Sequence, residues 1–293
     1  NRKRDNWKMK FGLLGPDATF SADAGHNYLK SKKFKSKFKF YTTISGCFTG
    51  IEKGEIDLAI VPLLSSSGGA AWVNETLQNL REKKFMIYDE EILKIDMCLA
   101  SISKINIKKI KFIHSKDKAL EQCMKKINEI GAQTIPENST ATAAEKIKKL
   151  NDPTRAVIIP KRTAEIYDLT ILEEAIQDKN NNQTKFAVIG KKDNIPTGND
   201  KTTLIFEFAN GEKGKVTTRA GLLYSFLKEL EKEKISMTYI QSIPKDGSLE
   251  EFTFYCDIIG HRKDIKIVRA LKEIRKNVDL KYLKVLGSYP MYN

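Results

Sequence analysis

Short apolar runs alternate with amphipathic stretches along the first part of the chain. Residues 10–15, KFGLLG, form a buried-strand run closed by a glycine. PDATFSADAGHNYLKS follows, opening on turn residues and carrying Phe20, Ala24 and Tyr28 at helical spacing. FKFYTT is strand-like, and ISGCFTGIEKGE sets Phe48 and Ile51 on a short helix that stops at Gly54. IDLAIVPLL is nearly continuous, β-branched and of strand length. Strand, helix, strand, helix, strand is the order of a parallel α/β sheet.

The pattern then restarts. MIYDEEILKIDMCLAS (86–101) is extended and IKKIKFIHS (107–115) is a strand. KALEQCMKKINEIG reads as one amphipathic helix with Leu120, Cys123, Ile127 and Ile130 on a face and a stop at Gly131. AQTIPEN is extended, STATAAEKIKKL is a helix capped by Ser139 or Thr140, RAVIIP is a strand and KRTAEIYDL a helix. TKFAVIG (184–190) is one more strand. This predicts a second α/β lobe whose chain returns toward the first, with a cleft between lobes. The polar KKDNIPTGND (191–200) reads as a linker. Beyond it come strand KTTLIFEFAN, helix GLLYSFLKELEKEK, strands ISMTYIQSIP and EEFTFYCDIIG joined by a KDGS turn, helix DIKIVRALKEIRKNV and strand YLKVLGSYP. That βαββαβ order is ferredoxin-like and predicts a separate domain at about 200–293.

Composition narrows the class. The 293 residues are 41% apolar and 30% charged, as in a globular protein. The longest apolar run, Ile56 to Leu64, is interrupted by Asp57 and too short to span a bilayer, and no apolar segment follows the basic first ten residues. The four cysteines, Cys47, Cys98, Cys123 and Cys256, are far apart and lack histidines at ligand spacing, so neither a zinc site nor a disulfide frame is expected. A reducing, cytoplasmic compartment is expected. The 51 Lys and Arg exceed the 37 Asp and Glu, giving a net charge of +14. The excess is mostly Lys, is spread out and does not interleave with aromatics, so an anionic small substrate is favoured over nucleic acid.

Three turns after strands, GPDATFS (15–21), LSSSGG (64–69) and NSTATA (138–143), place hydroxyls and backbone N–H groups near helix starts, where an anion is stabilised. Each alone is an ordinary cap. Together around one cleft they suit a small substrate with two carboxylates. At the return strand, NNNQTKF (180–186) sets a hydroxyl, a cation and a ring at the strand mouth.

These segments resemble, in collinear order over about residues 10–290, the motifs of prephenate dehydratases with a C-terminal ACT regulatory domain. LLGPDATFS is similar to their Gly-Pro-x-Gly-Thr-Phe-Ser, IEKGEIDLAIVPL to their Gly-x-x-Asp-x-x-Val-Val-Pro, and SKDKALEQC to their Ser-His-Pro-Gln-Ala-Leu-x-Gln-Cys. ENSTATAAE is similar to Ser-Thr-x-x-Ala, and IQDKNNNQTKF to the segment ending Thr-Arg-Phe. In the last domain RAGLLYSF, YIQSIP and VLGSYP resemble Pro-Gly-Ala-Leu, Ile-Glu-Ser-Arg-Pro and Leu-Gly-Ser-Tyr-Pro.

The resemblance implies a two-lobed, periplasmic-binding-protein-like catalytic region at 10–195, with lobe 1 at about 10–85 and 183–195 and lobe 2 at about 86–182, and a ferredoxin-like ACT domain at 200–293. It implies conversion of prephenate to phenylpyruvate with loss of water and carbon dioxide, without metal or organic cofactor. Thr184, Lys185 and Phe186 take the catalytic positions: Thr184 bonds the leaving hydroxyl, Lys185 stands where the family has Arg, and Phe186 packs against the ring or the lobe interface. Thr19, Phe20, Ser21, Ser65, Ser66, Ser115, Gln122, Ser139, Thr140 and Asn182 take the substrate-binding positions. Gly221, Leu222, Leu223, Gln241, Ser242, Ile243 and Pro244 take the phenylalanine-binding positions of the ACT domain. A homodimer or homotetramer is implied. This chain departs from the family at several points. Ala18 replaces the motif's second glycine. Leu63–Leu64–Ser65–Ser66 replaces Ile-Glu-Asn-Ser. Ser115–Lys116–Asp117–Lys118 replaces Ser-His-Pro-Gln. Lys185 is a point charge without the planar fork of Arg. Arogenate dehydration, prephenate decarboxylation and a catalytically weak aromatic amino acid sensor therefore stand as alternatives.

Overall fold

The computed structural model describes residues 9–66, 71–209, 220–245 and 251–292. The chain divides into two compact units, residues 1–76 with 91–186, and residues 77–90 with 187–293. Segments 67–69 of LSSSGG and 246–248 of KDGS lie outside the described residues.

Apolar runs became strands where expected. Phe11–Leu14 pairs in parallel with Phe38–Tyr41 and with Leu58–Ser65. The full sheet runs Phe38–Tyr41, Phe11–Leu14, Leu58–Ser65, Gln183–Gly190, Met86–Lys94, with Ala71–Trp72 antiparallel on Leu58–Ser65. Helices Phe20–Ser31 and Ile44–Glu52 start at Thr19 and Thr43, whose side chains accept the N–H of the third residue on. Helix Asn74–Glu82 was not legible: its NETLQNLRE sequence is polar.

The second sheet runs Thr170–Glu173, Met97–Ser101, Arg155–Pro160, Phe112–Ser115, Gln133–Pro136. It is mixed rather than parallel. Met97–Ser101 is antiparallel to both neighbours, whereas Phe112–Ser115 is parallel to both of its own. The two neighbours of Met97–Ser101, Arg155–Pro160 and Thr170–Glu173, are joined through helix Lys161–Ile166 and run in the same direction, both opposed to it.

The expected single helix at 118–131 is two, Asp117–Glu121 and Met124–Ile130. Its central carbonyl, Gln122 O, accepts from Asp178 N at 2.7 Å rather than from the next turn, and Asp178 Oδ1 then caps Lys125 N at 3.1 Å. The expected stop stands: Gly131 is left-handed at φ 74.

In the second unit a four-stranded antiparallel sheet, Met237–Pro244, Phe252–Ile259, Asp200–Phe208, Leu280–Pro290, alternates in sequence with helices Leu222–Lys232 and Ile265–Asn277 as βαββαβ. Phe206 stacks on Phe226 with centroids 4.1 Å apart, at the centre of a core that includes Leu204, Cys256, Ile258, Ile267 and Ile274. The 191–200 segment is no free linker. Asp193 accepts Arg262 Nε at 2.6 Å, Asn194 N donates to Ser288 O at 3.1 Å, and Thr197 Oγ1 donates to Asp200 Oδ1 at 2.6 Å.

Two close constraints fasten residues 77–90 within this unit. Lys201 is buried with Nζ 2.7 Å from Glu90 and 3.6 Å from Asp257, and Asp257 also accepts Thr203 Oγ1 at 2.6 Å. A Cβ on Gly287 would collide with the Ile87 backbone. Lys201→Met, which leaves Glu90 and Asp257 buried without their cation, is expected to cost about 3–5 kcal/mol in denaturant unfolding. Adding Glu90→Gln should recover part of the loss; no recovery would show that the pair is not coupled. Gly287→Ala is expected to cost about 1–3 kcal/mol by overpacking, and an unchanged melting temperature would show that the two strands separate freely.

Candidate active site

The chain's return from the second sheet to the first shapes the candidate site. Ile176 N donates to Met97 O at 3.0 Å and Ile95 N to Asn182 O at 2.8 Å. Between them the buried Gln177 side chain accepts Met97 N at 2.9 Å and donates to Asp96 Oδ1 at 2.8 Å. The backbone then joins the end of strand Leu58–Ser65: Ser66 N donates to Gln183 O, and Gln183 N donates to Ser66 Oγ, both at 2.8 Å. Ser66 Oγ also lies 3.4 Å from Asn182 Oδ1.

A cavity of about 500 Å³ opens beside this junction. Ser66, Gln122 and Asn182, expected from three distant motifs, all line it. Lys118 and Lys179 face it as cations, Glu121 and Asp178 as acids, and Gln177 and Asn181 as amides. The volume suits a molecule of one ring with two carboxylates. Thr184 lies two residues beyond Asn182, in the strand Gln183–Gly190, and neither it nor Lys185 nor Phe186 is among the residues lining this cavity. It is half-buried, and its hydroxyl makes no hydrogen bond among the described residues. Lys185 is half-buried as well, while Phe186 is 2% exposed and belongs to the core rather than to an open face.

Most of the other expected hydroxyls are bonded or buried within the fold. Thr19 caps its helix, donating to Pro16 O at 3.1 Å and accepting Ala22 N at 3.4 Å. Ser139 accepts Thr142 N at 3.0 Å, and Thr140 is buried behind it. Ser115, fully buried, donates to Ile158 O. Ser65 is buried in its strand, and Ser21 is half-buried. Phe20 lines a different cavity of about 310 Å³ with Asp23, His26 and Arg162.

That second cavity has its own electrostatics, which motif reading missed. Arg162 reaches Asp17 at 2.8 Å, His26 Nε2 at 3.0 Å and Asp23 at 3.5 Å, while Thr163 Oγ1 donates to Ala18 O at 3.0 Å. These bonds tie the loop after the first strand to the helix Lys161–Ile166. Ala18 pays for that path with a left-handed backbone, φ 72, where the resembling motif has glycine. Burial lifts the Asp23 carboxyl to about 6, against the opposing charge and hydrogen bond of Arg162. Burial pulls His26 down, helped by Arg162. The only sequence signal was the proximity of Asp17 and Asp23 to the Thr-Phe-Ser turn.

Of the expected regulatory positions, Gly221 is left-handed at φ 87 and opens helix Leu222–Lys232, with open space where a Cβ would point. Leu222 is buried and Leu223 packs against the same core. Gln241, Ser242, Ile243 and Pro244 end the strand Met237–Pro244, which lies at the sheet edge with alternating exposure. The Tyr239 hydroxyl donates to Gln241 Oε1.

Asp23 carries a pH prediction. In the unfolded chain its carboxyl ionises near 4. Between about pH 4 and 6 the folded chain holds the extra proton, so this group's contribution to stability falls as pH rises through that window. Asp23→Asn cannot ionise. Its melting temperature relative to the parent should therefore climb between pH 4 and 7, by the equivalent of about 2 kcal/mol. A pH-independent difference would refute the buried, lifted carboxyl.

Comparison with known proteins places this geometry in a family. Residues 11–194 match the family model described as prephenate dehydratase. A bifunctional chorismate mutase/prephenate dehydratase of Aquifex aeolicus is 33% identical over 285 residues, which cover 97% of this chain and 74% of that protein. The prephenate dehydratase of Arthrobacter aurescens, solved with L-Phe, superposes with a TM-score of 0.79 at 24% identity, covering 97% of this chain and 90% of that one. A structure described as a quorum quenching acylase, GqqA, superposes at 0.76 and 23% identity over 96% of this chain and 98% of that one. Fold likeness at these identities does not choose between a dehydratase and an acylase. The family match and the sequence relative do choose: the chain belongs to the prephenate dehydratase family of hydro-lyases.

Proposed function

We propose that this prephenate dehydratase carries out its reaction in the cavity lined by Ser66, Gln122 and Asn182. The observation that supports it most is their convergence from three separated motifs on one cavity; Thr184, two residues after Asn182 in the chain, carries a hydroxyl with no hydrogen bond among the described residues. Prephenate carries a ring carboxylate, a side-chain carboxylate and a ring hydroxyl. In the reaction the bond to the ring carboxylate breaks, its electron pair enters the ring, and the hydroxyl leaves from the opposite carbon and is protonated to water. Aromatisation drives the step, so the protein's work is alignment and charge stabilisation. Thr184 donates to the departing oxygen; as a weak acid it orients that oxygen and relays a proton. Lys118 and Lys179 face the same cavity and hold the carboxylates. They supply cations that the family pattern places elsewhere, which is consistent with the plain Lys185 and with Leu64 in place of a glutamate.

The same reading extends to the rest of the chain. The catalytic region spans about 10–195 as two periplasmic-binding-protein-like lobes, and residues 200–293 form a ferredoxin-like ACT domain. The sheet order of the second unit and the L-Phe complex of the Arthrobacter relative support this. Phenylalanine binds there against Gly221, Leu222 and Leu223 and the strand end Gln241, Ser242, Ile243 and Pro244, and it inhibits the enzyme. The assembly is a homodimer or homotetramer in the cytoplasm. Among the described residues no helix is long and apolar enough to cross a membrane.

Purified protein incubated with prephenate at neutral pH should yield phenylpyruvate. Thr184→Ala should lower kcat by about 10²–10³ with a folded circular-dichroism spectrum, the loss typical of one aligned donor. Lys118→Ala and Lys179→Ala should act mainly on KM. A product that has lost only carbon dioxide, or no product while a family member turns over in parallel, would overturn the assignment.

A further inference from the structure

Part of the chain's positive charge gathers in one concavity of the second unit. A cavity of about 570 Å³ is bounded by residues 84–86, 191–195, 262–263 and Lys284. Two of its cations are occupied by the fold. Arg262 grips Asp193, the acid among the lining residues, with Nε at 2.6 Å and a terminal nitrogen at 3.0 Å. Lys284 donates to the carbonyls of Leu80, Arg81 and Lys83 at 2.6, 3.2 and 2.6 Å, closing the end of helix Asn74–Glu82.

Four cations have no such use. Lys84, Lys191, Lys192 and Lys263 are exposed and form no ion pair among the described residues. Their backbones are not free to drift apart. Asn194 N bonds Ser288 O, His261 Nε2 lies 3.0 Å from Asn194 O, and Asp193 is fastened by Arg262. Four lysines without an ion pair among the described residues thus line one hollow, where their charges raise the local potential for an anion. Phe85 is buried at this site and Ile195 is 45% exposed, giving the hollow an apolar side.

We propose that this hollow is a binding site for a small, multiply charged anion, phosphate- or carboxylate-bearing, formed by residues other than those of the catalytic cavity. Ammonium groups are point charges, so the pocket selects for charge number more than for planar shape. The apolar side adds affinity for a ligand that joins its anionic group to a flat or apolar portion.

The test uses the full chain in about 150 mM salt, where exposed single charges are screened. Inorganic pyrophosphate, citrate and ADP are titrated calorimetrically. Stoichiometric binding of at least one is expected: pyrophosphate over citrate indicates a phosphate site, and ADP over pyrophosphate a use of the apolar side. Lys192→Glu/Lys263→Glu should weaken binding at least tenfold, whereas Lys37→Glu/Lys109→Glu, the same charge change elsewhere, should stay within twofold. Lys84→Gln/Lys191→Gln replaces the first double variant if that one does not fold. Absence of heat with all three probes, or equal weakening by both double variants, overturns the proposal. Loss of binding in Thr184→Ala moves the anion to the catalytic cavity and also overturns it. An oligonucleotide shift that vanishes in the Lys192/Lys263 variant, without binding of the small probes, makes the hollow a nucleic-acid surface instead.

Discussion

A buried amide carries much of the first unit's geometry. Gln177 accepts the Met97 N–H and donates to Asp96, so the outgoing and returning passages of the chain between the first two sheets are held side by side. An unsatisfied amide there would cost about 1–3 kcal/mol, which makes this pairing the cheapest state by a clear margin. The lining of the cavity at Ser66, Gln122 and Asn182 follows from it in chain order. Asp178 comes next and breaks the helix that holds Gln122; Asn182 then meets Ile95, and Gln183 closes on Ser66. Thr184 inherits its position from these bonds and from the buried Phe186 two residues later.

The two units solve their buried-charge problems differently. In the first, Asp17, Asp23 and His26 share one arginine near the surface, and the most buried acid answers by holding its proton to about pH 6. In the second, one lysine lies between two buried carboxylates with Thr203 and Tyr289 completing the network. The first arrangement can respond to solution pH. The second is a fixed element of the core, where removing the lysine takes one cation from two buried carboxylates at once.

The strands were readable because buried sheets demand apolar, β-branched runs, and Phe11–Leu14, Leu58–Ser65 and Arg155–Pro160 have them. Helix caps were readable for the same local reason, as Thr19 and Ser139 show. What failed was anything decided at a distance. The break after Glu121 depends on a carbonyl captured by Asp178, and no periodicity records that. The hydroxyl of Ser115 donates to the Ile158 carbonyl on the neighbouring strand, a partner that no local pattern records. Lys118 reads only as a departure from a motif, and Lys179 draws no reading at all, until folding sets them on one cavity. Composition showed an excess of Lys without showing where Lys84, Lys191, Lys192 and Lys263 would meet.

The partners of Lys201 and Lys284 bear on how this protein could be cut and recombined. Glu90 and the carbonyls of Leu80, Arg81 and Lys83 lie more than a hundred residues upstream of the strands they complete. Gly287 likewise exists to admit Ile87. The C-terminal sheet is therefore not a cassette that begins at residue 200. Gene fusion or exchange that moved it alone would take Glu90 from Lys201 and the helix-end carbonyls from Lys284 and would uncover a backbone face, so the portable module is a discontinuous one.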